Sequence, residues 1–194
     1  MNNPRFIAAA AFVLLAVGAS AQKRTIVDLN FGWRFHTLDT PEQLLADADD
    51  ASWRSVDLPH DFQIEQPWVA PAADEKADNT DVAANIKSRL SSRGFKEMGR
   101  GCYRYHLNPA DSLKGRRLLL DFGGIMYTGD VYVNGQRVGG TDYGYVGFEC
   151  DITGKLRFGQ DNVIAVMADT REPGNSRWYT GGGLFRGVRL VATS

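Results

Sequence analysis

Large apolar side chains recur along this chain in short runs with a period of two, and glycine, proline and asparagine separate the runs; that pattern predicts strands joined by turns. Trp33 to His36 alternates Trp and Phe with Arg and His, Trp53 to Asp57 spaces apolar anchors among polar residues, and Cys102 to Leu107 alternates large with charged side chains. Arg117 to Phe122 carries three consecutive leucines, as a strand covered on both faces does. Asp130 to Val138 predicts a hairpin, because Asn134-Gly135 can take the positive φ angles of a two-residue type I′ turn between β-branched flanks. Val146 to Asp151, Asn162 to Asp169 and Phe185 to Val191 bring the set to eight or nine strands, an all-β pattern of two packed sheets.

Helical signals are sparse. Pro41 to Asp50 starts with a proline behind Thr40, a suitable N-cap, and predicts two helical turns. Asp81 to Leu90 has modest helical character inside a polar stretch from Ala70 to Arg100, which reads as a long surface excursion between strands. At the N-terminus, Arg5 precedes the apolar run Phe6 to Val17, and Ala19-Ser20-Ala21 supplies small residues for cleavage. Residues 1–21 are therefore expected to be a secretory signal peptide, with residues 22–194 forming one exported domain, periplasmic or extracellular, that has no membrane span.

Composition narrows the partners. A formal net charge of −1 without any basic stripe excludes nucleic acid and anionic membrane surfaces as expected ligands. Twenty-one glycines with four Trp and seven Tyr favour a turn-rich β fold that handles polar ligands. Export permits a disulfide between Cys102 and Cys150, and the sequence leaves two readings open: that bridge, or two separately buried thiols.

The chemistry-bearing residues mostly read as structural. His36, His60 and His106 are scattered without metal-ligand spacing, so no metal site and no cofactor are expected. Gly181-Gly-Gly183 precedes a strand, which suits a turn needing positive φ or close backbone packing better than a phosphate loop. Asp49, Asp50, Asp74, Glu75, Asp111, Asp142 and Asp161 sit in turn contexts and read as solvated carboxylates; no acid/base pair stands out, and no catalytic residue is expected.

Two polar-aromatic groups suit a sugar, whose apolar CH faces stack on flat rings while its hydroxyls meet Arg, Asn or Asp. One is Leu58-Pro-His-Asp-Phe62 with Trp68; the other is Asn175, Arg177, Trp178 and Tyr179. The alternative for the second group is that Trp178 and Tyr179 cap the sandwich core while Arg177 pairs with an acid.

Seven segments in order carry a family resemblance: Phe31-Gly-Trp-Arg-Phe35, Ser52-Trp-Arg-Ser-Val-Asp-Leu-Pro-His-Asp61, Gly101-Cys-Tyr-Arg104, Val131-Tyr-Val-Asn-Gly-Gln-Arg-Val-Gly139, Tyr143-Gly-Tyr-Val-Gly-Phe148, Asp161-Asn-Val-Ile-Ala-Val166 and Asn175-Ser-Arg-Trp-Tyr-Thr-Gly-Gly-Gly-Leu-Phe185. Together they resemble the N-terminal sugar-binding domain of glycoside hydrolase family 2, of the β-galactosidase-like, Bacteroidetes type. The resemblance implies a jelly-roll β-sandwich of the galactose-binding-domain type, followed in the family by an immunoglobulin-like sandwich and a TIM barrel with two catalytic glutamates. Neither glutamate motif has a counterpart here, and only Ala192-Thr-Ser194 follows Val191, so a chain truncated before those domains and inactive alone is expected. The resemblance also implies substrate-side roles for Asn175, Arg177 and Trp178, a carbohydrate of the β-galactoside type as ligand, and separately encoded catalytic domains as partners. A free-standing carbohydrate-binding module and an inactive structural remnant are the alternatives. Cys102 departs from the family, which commonly has a tryptophan before Tyr-Arg, so the local packing is expected to differ.

Overall fold

Alternation along each strand sends one row of side chains into the space between two antiparallel sheets. The structure is a computed structural model and describes residues 24–69, 94–171 and 179–193. Among the described residues ten strands run in chain order: β1 (Thr25–Asp28), β2 (Trp33–Thr37), β3 (Arg54–Val56), β4 (Arg100–Leu107), β5 (Arg117–Phe122), β6 (Thr128–Val133), β7 (Gln136–Thr141), β8 (Phe148–Asp151), β9 (Asn162–Asp169) and β10 (Val188–Thr193). One sheet has the order β1-β10-β5-β8 and the other β3-β2-β4-β9-β6-β7. The result is the expected jelly-roll sandwich.

The core lies between the sheets. Trp33 and Phe35 from β2, Tyr103 from β4, Val131 and Val133 from β6, and Ile164 and Val166 from β9 meet Leu118, Leu120 and Phe122 from β5 and Leu190 from β10. Full burial of each such side chain stabilises the fold by roughly 1.5–3 kcal/mol. The one polar atom that Trp33 brings inside is satisfied, since its indole N–H donates to the Leu29 carbonyl at 2.5 Å.

The hairpin forms as expected, with Asn134 at φ 51° and Gly135 at φ 78°. The limits of β5 and β9 are those read from the sequence. β10 begins three residues later than expected, because Arg186 Nη1 reaches out to the Gly123 and Tyr145 carbonyls before pairing with β5 starts. β1 was not anticipated; it is a four-residue edge strand with little burial.

Two expectations are corrected on the outer face of the larger sheet. Pro41–Leu44 is a single 3-10 turn rather than the start of two helical turns. The carbonyls that would continue a helix are instead turned toward Arg104, whose guanidinium donates to those of Gln43, Leu45, Ala46 and Ala48. Asp50 is no solvated turn residue either: it is buried and accepts from Arg104 Nε at 2.6 Å and from His106 Nε2 at 2.9 Å, while His106 Nδ1 meets Asp161 at 2.5 Å. The folded-over segment seals a second small core of Leu38, Leu44, Trp53, Cys102, Val163 and Ala165.

That second core decides between the two readings of the cysteines against the disulfide. Cys102 points into it from the outer face of β4, whereas Cys150 points from β8 into the space between the sheets, so a sheet separates the two buried thiols and both are free. Cys150 there sits against Gly139, where any added Cβ would strike its sulfur.

Candidate functional site

The glycine run is built against the Leu58–Gln63 loop rather than around a ligand phosphate. His60 N–H donates to the Leu184 carbonyl and Phe62 N–H to the Gly182 carbonyl, both at 2.9 Å. On its other side Gly183 exchanges backbone hydrogen bonds with Met126 at 2.6 and 2.8 Å. Gly181 and Gly183 have φ of +73° and +113°, and a Cβ at Gly183 would run into the Tyr103 hydroxyl and come within 2.9 Å of the His60 carbonyl. At Gly182 it would meet the Thr170 methyl. Close packing and positive φ thus account for these glycines.

Asp61 is the clamp. Its Oδ1 accepts from the Gly182 N–H at 2.8 Å and from the Gln63 N–H at 2.9 Å, and its Oδ2 accepts from the Tyr179 hydroxyl at 2.7 Å. Behind it His60 Nδ1 lies 2.8 Å from the Tyr103 hydroxyl and His60 Nε2 lies 3.4 Å from Glu65, which Arg54 grips at 2.5 Å. Burial lowers the His60 pKa, with Glu65 opposing, so the ring is held neutral. For Glu65 partial burial works upward, but the Arg54 hydrogen bond and charge outweigh it and the carboxyl stays below its ordinary range. An acid held ionised in this way is unsuited to donate a proton to a leaving group.

Beside the clamp a short ribbon carries aromatic surface. Val69 N–H donates to the Phe95 carbonyl at 2.8 Å and Glu97 N–H to the Pro67 carbonyl at 2.9 Å, which sets Trp68 directly opposite Lys96. Gln63 anchors the ribbon, since its Nε2 donates to the Glu97 carbonyl at 2.7 Å. Trp68 is 74% exposed, and with Ile64, Gly94, Lys96 and Tyr179 it lines a depression of about 210 Å³. The Tyr179 ring forms a fixed wall there, its hydroxyl tied to Asp61 and its edge 3.4 Å from the position of a Cβ on Gly94.

The structure therefore brings Tyr179, from the second polar-aromatic group, to the same end of the sandwich as the Leu58–Phe62 group and Trp68, 118 residues from Asp61 in the chain. Asn175, Arg177 and Trp178 lie outside the described residues; their neighbour Tyr179 is at this end. The three histidines have structural partners, and among the described residues no group of three or more His, Cys, Asp or Glu side chains is placed to hold a metal ion. Lys96, Gly94 and Ile64 were missed by sequence reading. Nothing distinguishes Lys96 in a polar stretch until the ribbon pairs it with Trp68.

Among the described residues no helix is long and apolar enough to cross a membrane. A family model described as "Glycosyl hydrolases family 2, sugar binding domain" matches residues 26–193. The β-galactosidase BoGH2A of Bacteroides ovatus is 34% identical over 168 residues, covering 86% of this chain and 18% of the relative. A putative β-glucuronidase of Formosa agariphila is 28% identical, covering 87% of this chain and 15% of its own length. Among solved structures, a glycosyl hydrolase family 2 member from Bacteroides cellulosilyticus superposes with a TM-score of 0.69 at 33% identity, and a β-glycosidase from Bacteroides vulgatus with 0.72 at 28%; each match covers 87% of this chain and 20% of the other. The chain thus spans less than a fifth of the length of the curated relatives it matches.

Proposed function

The chain belongs to the sugar-binding domains of the family 2 glycosyl hydrolases, and from that premise we propose that it binds a carbohydrate of the β-galactoside type at the loop end formed by Leu58–Trp68 and Tyr179–Gly183, in the service of a hydrolase whose cleaving carboxylates belong to other domains. The observation that carries this reading is the Asp61 clamp, which fixes Tyr179 beside the exposed Trp68 and so presents two flat rings at one end of a rigid sandwich. Asn175, Arg177 and Trp178, which directly precede Tyr179, contribute the hydrogen-bonding side chains in this reading. The domain itself does not hydrolyse: Asp61 is committed to backbone amides and a tyrosine, and Glu65 to an arginine. Residues 1–21 direct it out of the cytoplasm.

Calorimetric titration of the purified chain with galactose and lactose, beside a nitrophenyl β-galactoside assay, tests the proposal. Measurable binding without turnover is expected. Turnover above a mock purification, or no binding of either sugar, overturns it.

A further inference from the structure

We propose that the sugar unit seated in the Trp68–Tyr179 depression carries an acidic group, and that Lys96 selects for it. The inference rests on the carbohydrate-binding reading above and names the class of sugar that this part of the surface takes.

Three observations support it. First, Trp68 is presented rather than packed: a backbone ribbon holds it in place while its ring stays 74% exposed, and with the exposed Ile64 and Tyr179 it forms a contiguous apolar patch of the kind that marks a binding site. Second, the depression is walled by carbon from Ile64, Trp68, Gly94 and the Tyr179 ring, and the ammonium of Lys96 stands over the Trp68 ring, 3.9 Å from its centre. Third, no carboxylate pairs with that ammonium among the described residues. The adjacent Glu97 lines a different depression with Gln66 and Arg100, as the alternation of side chains along a ribbon requires.

A positive charge partly removed from water and faced, among the described residues, by an aromatic ring favours an anion. A sugar stacking its CH face on Trp68 brings a ring substituent within reach of Lys96. A hydroxyl there gains an ordinary hydrogen bond; a carboxylate or sulfate gains a charge-assisted one, which is stronger and sensitive to salt. The volume of about 210 Å³ lies below the range of about 300–1,000 Å³ usual for ligand pockets, so it suits one ring of a longer glycan.

The test is titration of the purified chain with galactose, galacturonate and galactose 6-sulfate at low and high salt, repeated with Lys96→Gln and Trp68→Ala. At least one acidic sugar is expected to bind roughly threefold to tenfold more tightly than galactose at low salt. Whichever acid shows that preference identifies the substituent. Lys96→Gln abolishes the preference, and because its amide can still donate to a hydroxyl it lowers galactose affinity far less than that of the preferred acid, whereas Trp68→Ala weakens all three sugars. Because both side chains lie on the surface ribbon, unchanged melting temperatures are expected for the two variants. Equal affinity for galactose and both acids, or a preference that survives Lys96→Gln, overturns this inference while leaving carbohydrate binding intact. Failure of all three sugars to bind overturns both.

Discussion

Asp50 and Arg104 form a buried ion pair on the outer face of the six-stranded sheet, with Arg104 Nε 2.6 Å from Asp50 Oδ2 and the arginine side chain wholly inaccessible to solvent. Removing the acid strands a buried guanidinium and loosens the segment whose carbonyls it gathers. Asp50→Ala is therefore expected to lower stability by about 3–5 kcal/mol. Urea unfolding followed by tryptophan fluorescence measures this, and a loss under about 1 kcal/mol would show that the pair is solvated in solution.

Stability is expected to fall on both sides of a plateau in mildly acidic solution. Partial burial pushes the His106 pKa down, but its hydrogen bonds to Asp161 and Asp50 outweigh that and raise it above 6.5. The stabilisation from His106 is then complete below about pH 6.5 and is lost as pH rises through the raised folded value. For Asp50, burial pushes upward and the bonds to Arg104 and His106 win, leaving the pKa below 3.8. Its contribution is present above that value and is lost as pH falls through the depressed one. His60, held neutral by burial, works against His106 around neutrality. The comparison that isolates the effect is wild type against His106→Asn: the stability gap narrows from pH 6 to pH 8. A constant gap would contradict the two carboxylate bonds.

Both cysteines are expected to resist alkylation in the native protein. Burial pushes the thiol of Cys102 up to about 12 and that of Cys150 up to about 11, so thiolate is scarce and reagent has no access. Iodoacetamide followed by mass spectrometry should add no label to the folded chain and two labels in urea without reductant. An unlabelled denatured chain would mean that the two are bridged.

Gly183→Ala combines a φ of +113° with a clash against the Tyr103 hydroxyl, and is expected to cost at least about 2 kcal/mol. Asp61→Ala keeps the glycine geometry and releases three hydrogen bonds, so its expected signature is different: sugar affinity falls about tenfold or more while the melting temperature drops by only a few degrees. Calorimetric titration and thermal unfolding of the pair separate the two roles. Unchanged sugar affinity in Asp61→Ala would remove Tyr179 from the binding surface.

Strand positions were legible because the central strands carry their own pattern: Asn162 to Asp169 is apolar on both faces, and Asn134-Gly135 is chemically a turn. What failed was everything decided across the chain. Pro41 to Asp50 has local helix signals, yet a guanidinium arriving from β4 takes its carbonyls, and no local rule anticipates a donor 56 to 61 residues away. Asp50 and Asp161 look like turn acids until His106 stands between them. At the loop end, the aromatic groups were visible as composition, but the approach of Tyr179 to the Leu58–Trp68 segment depends on its hydroxyl meeting Asp61 across 118 positions. Lys96 acquires meaning only from a two-bond ribbon with no strand-like pattern of its own.

The order β1-β10-β5-β8 places β10, the latest of the domain's described strands in chain order, inside its sheet, bonded on both sides. As the polypeptide emerges from the ribosome, β5 has β8 on one flank and an open edge on the other until residue 193 appears. Half of the sandwich must wait through the synthesis of the whole domain with apolar surface uncovered, and contacts between its ends close late and slowly. For this fold, the interval between the first strand and the tenth is the window in which a chaperone matters most.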